Sequence, residues 1–275
     1  MAWSRLGSRA QNTILLAPAL VILVTLFGGA LAGAARISVV PLGGTASLDA
    51  WRGLFNDPAF GDAVVFTLRT AALSTALAAA VALGLSLAVR RRGMLVRSVL
   101  ALPVPVPHLI VATVAVLWLA PGGLAERLLG GLPVDVIRDR GGVGIVLVYV
   151  YKEAPFLLLL VLAALGRAHQ EHDEAAAALG VGPLQRLRWV TWPAVRSPLV
   201  VGSIVVFAFA LGAFEVPLAV GPSYPSTIAE YARDATQGDL IAGQGTAAAA
   251  LLVSALTSIA LAALAVRAAR DPQGG

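Results

Sequence analysis

A small set of residues has the type and spacing to do chemistry. Glu174, Ala175 and Ala176 are followed by Gly180 and then by Pro193. Lys152 and Glu153 are neighbours inside an apolar run, and Glu215 stands alone in another, two residues before Pro217. Nucleotide hydrolysis through a phosphate-binding loop needs Gly-Lys-Ser/Thr. Lys152 is the sole lysine, flanked by Tyr151 and Glu153, so this chain carries no such loop. His169, Glu171 and His172 miss the His-Glu-x-x-His spacing of a zinc helix, and no metal site is expected. With no cysteine, disulfides, thiolate metal sites and cysteine nucleophiles are excluded. His108, after Pro107, reads as a buried, hydrogen-bonded histidine. No catalytic residue and no cofactor is expected.

The elements that hold these residues are apolar. Of 275 residues, 58% are hydrophobic and only 13% charged, with mean hydropathy +0.84. Soluble domains carry about 25% charge. The balance excludes a soluble enzyme and a disordered chain, and the net charge of +5 reads as loop charge rather than nucleic-acid binding. A membrane-crossing helix needs about 20 apolar residues. Uncharged runs cover 10–35, 70–89, 98–125 and 240–266. Two more, 141–166 and 197–229, are interrupted only by Lys152–Glu153 and by Glu215. The expected fold class is an all-α membrane protein with six transmembrane helices. The first run is longer than the hydrophobic region of a signal peptide and is expected to be retained.

Arginine placement orients the helices. With the N-terminus in the cytoplasm, inner segments hold twelve arginines and outer segments six, while acidic residues favour the outside. The positive-inside rule then predicts a multi-pass protein of a bacterial-type plasma (inner) membrane with both termini cytoplasmic. Residues 1–60 would comprise a cytoplasmic tail, the first span and the first outer loop, with a short interfacial helix over Trp51–Phe60. Residues 61–270 would hold five helices. Pro103, Pro105 and Pro107 postpone the third regular helix to about Pro107.

The largest inner segment is 167–197. From His172 it reads HDEAAAALGVGPLQRLRWVTWP. Asp173 is expected to cap a helix, Gly180 to stop it in a left-handed turn, and Pro183 to start a second helix. Pro193 is expected to break that run before the fifth span.

The pattern of Glu174-Ala175-Ala176, three residues, Gly180, nine residues and then Val190-Thr191-Trp192-Pro193 resembles the EAA loop. That loop marks inner-membrane permease subunits of binding-protein-dependent ABC importers of the methionine- or maltose-transporter type. Val190 and Trp192 stand where the usual form has Ile and Leu. The resemblance covers about residues 62–266. It implies an importer permease whose loop at 172–193 docks on a separate ATP-hydrolysing subunit. It also implies a pair of cytoplasmic ATP-binding subunits, a second permease subunit and an extracytoplasmic solute-binding protein as partners, besides membrane lipid. Gly212–Gly221 is similar to the fifth span of polyamine-, thiamine- and ferric-type permeases. Glu215, Lys152 and Glu153 become candidates for the translocation path, since ionisable groups within spans tend to face cavities or partners. For Glu215 a structural pairing with Arg69 or Lys152 stands as the other reading. For the whole chain the alternative is an ion- or proton-coupled secondary transporter, although paired broken helices in inverted repeats are not evident.

Overall fold

Alanine, leucine and valine runs without internal charge favour helix, and an apolar medium leaves their backbone groups no other partner than the helix itself. The computed structural model describes residues 8–40, 44–131, 135–238 and 240–270. Arg5 and Asp239, used in the charge distribution, lie outside them. The helices are α1 (Ser8–Leu23), α2 (Gly29–Val39), α3 (Asp49–Asn56), α4 (Pro58–Val89), α5 (Met94–Ala101), α6 (His108–Leu119) and α7 (Leu124–Leu129). They continue with α8 (Val143–Ala164), α9 (Arg167–Ala178), α10 (Pro183–Arg186), α11 (Trp192–Gly212), α12 (Glu215–Val220), α13 (Ile228–Gly238) and α14 (Leu240–Arg270). No strand occurs among the described residues. Six stretches are long and apolar enough to cross a membrane: Leu16–Val39, Pro58–Val89, His108–Leu129, Val143–Ala164, Pro183–Gly212 and Ile241–Leu264. The protein is therefore all-α with six candidate spans, as composition implies.

The chain divides into two compact units. One contains residues up to Asp57 together with Ala232–Val253. In it, Ser47 Oγ accepts from the Asp49 N–H at 2.9 Å and starts α3, while Trp51 Nε1 donates to Ser38 Oγ at 3.2 Å. The short helix expected over Trp51–Phe60 runs from Asp49 and stops at Asn56, because Pro58 opens the next helix.

The other unit holds Pro58–Tyr231 and Ser254 onward. Its centre is the packing of α4 on α8, with α11 against both. The buried face of α4 is built of Ala63, Thr67, Thr70, Ala71, Ser74, Ala78 and Ala82. Small side chains let helix backbones approach closely, and the threonine hydroxyls of this face return to the helix itself. Thr67 Oγ1 donates to the Ala63 carbonyl at 2.7 Å and Thr70 Oγ1 to that of Phe66 at 2.8 Å. Larger groups from the partner helices, including Ile145, Tyr149, Leu157, Leu158 and Val206, fill the space.

Proline behaves differently from the sequence expectation at one place. Pro155 sits inside α8, which runs unbroken from Val143 to Ala164. Pro193 does not end a helix, against the expectation. Pro183–Gly212 is continuous, and a π-helical turn at Leu187–Thr191 precedes Pro193. The wider turn takes up the missing N–H and the ring clash that proline imposes on the preceding turn. At the Pro103–Pro107 segment the expectation holds: α5 ends at Ala101 and α6 begins at His108.

Candidate functional site

The segment between α8 and α11 is assembled by glycine and proline at its corners. Gly166 precedes α9, and Gly180 closes it with φ +79°. The Val181 N–H donates to the Ala176 carbonyl and the Gly180 N–H to that of Ala177, both at 3.0 Å. This pair of bonds is the Schellman arrangement, which satisfies carbonyls left open at a helix end. Gly182 then leads into α10 with Pro183 in the first turn. The sequence expectation of helix, left-handed stop and second helix is thus what the chain forms. Glu174 and Ala175 are exposed and Ala176 is half-buried. Leu179, Leu184 and Trp189 are also exposed, giving this face apolar surface around one carboxylate. An open groove of about 640 Å³ runs beside it, with Ala175, Ala176, Leu179 and Trp189 in its walls.

Asp173 is not the cap that the sequence suggested. The helix begins six residues earlier, at Arg167, and Asp173 lies in its interior. Its side chain is 3% exposed and faces inward. Oδ2 lies 3.4 Å from Arg90, 3.5 Å from Arg91 and 3.3 Å from Arg186. These arginines come from the end of α4 and from α10. A signal for them was present in the adjacent Arg90 and Arg91, directly after a span. The positive-inside rule accounted for both and left no reason to seek a partner. His169, one turn before Asp173, is buried, and its Nε2 lies 3.5 Å from Thr191 Oγ1. Burial, followed by the positive charge of Arg90, holds its pKa below the usual histidine value.

The charges inside the bundle are partnered within this chain. Lys152 and Glu153 are both buried in α8. Lys152 Nζ donates to the Val104 carbonyl at 2.8 Å, in the turn that the three prolines create. Non-helical backbone at membrane depth needs such a donor. Glu153 Oε1 lies 2.7 Å from His108 Nε2. His108 is thus hydrogen-bonded as expected, and its ring packs 4.7 Å from that of Phe209, centroid to centroid. Arg69 does not pair with an acidic residue in the bundle: its guanidinium donates to the Gly141 carbonyl at 2.8 Å.

Glu215 is not inside the fifth span. The helix stops at Gly212, and Glu215 is the first residue of the short α12. The Leu211 carbonyl at the end of α11 accepts from Ser254 Oγ at 3.1 Å. Glu215 is exposed, and neither Arg69 nor Lys152 reaches it as a hydrogen-bond or ion-pair partner. No group of three or more His, Cys, Asp or Glu able to hold a metal occurs among the described residues.

A family model described as binding-protein-dependent transport system inner membrane component matches residues 76–271. The inner membrane ABC transporter permease protein YnjC of Escherichia coli (strain K12) is 30% identical over 76% of this chain and 42% of its own length. The thiamine transport system permease protein ThiP of Brucella abortus (strain 2308) is 28% identical over 82% of this chain and 42% of its own. The chain therefore spans less than half the length of these two relatives. Among solved structures, a chain of a bacterial alginate ABC transporter, in complex with alginate pentasaccharide-bound periplasmic protein, shares the fold. Its TM-score is 0.76 at 19% identity, covering 98% of this chain and 97% of that one.

Proposed function

The chain belongs to the family of binding-protein-dependent transport system inner membrane components, and from that premise we propose that it is the permease subunit of an ATP-binding-cassette importer. It is a multi-pass inner-membrane protein. In this reading residues 61–270 form the permease domain, preceded by the first span and its loop within 1–60. The segment 172–193 is the surface on which the ATP-binding subunit docks. Glu174, Ala175 and Ala176 present the contact, Gly180 sets the angle between α9 and α10, and Pro193 with its π-helical turn joins the segment to α11. The observation that carries this is the Gly180-closed corner, with Glu174 and Ala175 turned outward beside an apolar groove. Small exposed side chains on a helix suit insertion into another protein's cleft.

ATP hydrolysis then belongs to a separate pair of subunits. A second permease, identical or homologous, completes the path, and an extracytoplasmic protein delivers a small polar solute. Polyamine, thiamine and iron are the candidate solute classes. Glu215 faces the path, whereas Lys152 and Glu153 shape it by holding Val104 and His108. The test is purification from native membranes in mild detergent: an ATP-binding chain is expected to co-purify. Its absence, with ion-driven uptake that ignores ATP depletion, would instead support a secondary transporter.

Both termini lie in the cytoplasm in this reading. A cysteine-free chain makes that simple to examine. Ser223→Cys and Gln185→Cys both fall at exposed positions. An impermeant thiol reagent added to intact cells is expected to label the first and not the second. The reverse pattern inverts the topology.

A further inference from the structure

Three guanidiniums around one carboxylate oxygen is more than pairing requires. Arg90 and Arg91 follow α4 directly, Asp173 lies within α9, and Arg186 ends α10. The Arg90 backbone carbonyl is itself a junction, accepting from Arg97 after the turn and from Gln170 Nε2 of α9 at 3.5 Å. Asp173 is buried even in the isolated chain, so its desolvation is offset here by these arginines rather than by another subunit. Leaving such a carboxylate or its partners unpaired is strongly unfavourable. Asp173 Oδ1 is also buried and has no hydrogen-bond partner. The carboxylate therefore has an acceptor in reserve.

We infer that Asp173 is a positioning residue that ties α9 to the end of α4 through Arg90 and Arg91, and to α10 through Arg186, so that force on α9 is delivered to α4 as one body. Backbone continuity links α9 only to α8 and α10. Without the tie, the long Gln170–Arg90 carbonyl contact at 3.5 Å is what remains between α9 and the end of α4. The tie turns a local push into motion of the central α4–α8 pair. A contiguous chain of charge-assisted contacts of this kind can carry coupling between distant sites. The inference rests on the docking role proposed above for 172–193.

Two measurements test it separately from that role. Spin labels on Arg92→Cys and Glu171→Cys, both exposed positions, report the distance between the α4 end and α9 in the purified chain alone. A single narrow distribution is expected with Asp173 intact, a broad or double one with Asp173→Asn, and a narrow one again with Asp173→Glu. In the transporter assembled with its ATP-binding and solute-binding partners, Asp173→Asn is expected to retain the ATPase. Solute moved per ATP hydrolysed should fall about tenfold, within the range of measured coupling effects. Asp173→Glu restores the ratio. A merely structural residue would lower both activities together and leave that ratio unchanged. If Asp173→Asn does not accumulate, the Arg90→Gln/Arg91→Gln double variant, which keeps Arg186 on the carboxylate, takes its place with the same expected broadening. An unchanged narrow distribution, or an unchanged transport ratio, overturns the inference. Failure of any ATP-binding chain to co-purify with the unmodified protein overturns the docking role instead and leaves the distance measurement standing.

Discussion

Valine at position 180 is expected to leave the protein in the membrane and bring uptake to background. The Cβ would meet nothing within 4 Å, so the effect is not steric. It comes from φ +79°. A left-handed backbone costs an L-residue about 1–2 kcal/mol, and branching at Cβ adds to it. Relaxing to negative φ would break the Val181–Ala176 and Gly180–Ala177 bonds and swing α10 away from its angle to α9. The surface presented by Glu174 and Ala175 would no longer match its partner. Gly180→Asn, which tolerates the left-handed region, is expected to keep most uptake, with Gly180→Ala between the two. Membrane abundance, co-purification of the ATP-binding subunit and uptake would be measured side by side. Normal uptake by an abundant Gly180→Val protein would remove the docking assignment from this corner.

Glu215→Gln is expected to impair uptake of an organic cation about tenfold while leaving thermal melting in detergent unchanged. Two unit charges about 5 Å apart interact by about 3 kcal/mol at an effective dielectric constant of about 20, and the exposure of Glu215 reduces the share that survives. Glutamine keeps the shape and removes the charge. The competing account, an internal ion pair, predicts a lowered melting temperature and rescue by a matching change at Arg69 or Lys152. Those two side chains donate instead to the carbonyls of Gly141 and Val104. Spermidine and thiamine serve as cationic test solutes, with a neutral solute as control. Equal uptake of all by both proteins, with equal melting, takes Glu215 out of the path.

The spans were legible because uncharged runs of adequate length leave the chain little choice but helix. The Gly180 corner was legible for a similar local reason: glycine, then Gly182-Pro183, dictate backbone conformation within a few residues. What escaped was any property set by distant neighbours. Asp173 has the composition of a cap, yet its partners Arg90 and Arg91 lie about eighty positions away, and burial among them outweighs local capping. Pro193 has the composition of a helix stop, yet packing of Val195 and Leu199 against Val161 and Leu165 holds the helix that follows it. The π-helical turn absorbs the cost. Glu215 looked embedded because its flanks are apolar. The helix break at Ala213–Phe214 is visible only once the backbone is followed in space.

Lys152 and Glu153 have one further consequence, electrical rather than structural. Because they are sequential residues of one helix, their opposite charges travel together when that helix moves. A membrane potential does work of about 2.3 kcal/mol per elementary charge per 100 mV on a charge carried fully across. On this pair the two contributions oppose each other. Displacement of α8 along the membrane normal therefore moves almost no net charge through the field. If α8 moves in the proposed importer, this pair adds almost nothing to the dependence of that movement on the voltage of the cell.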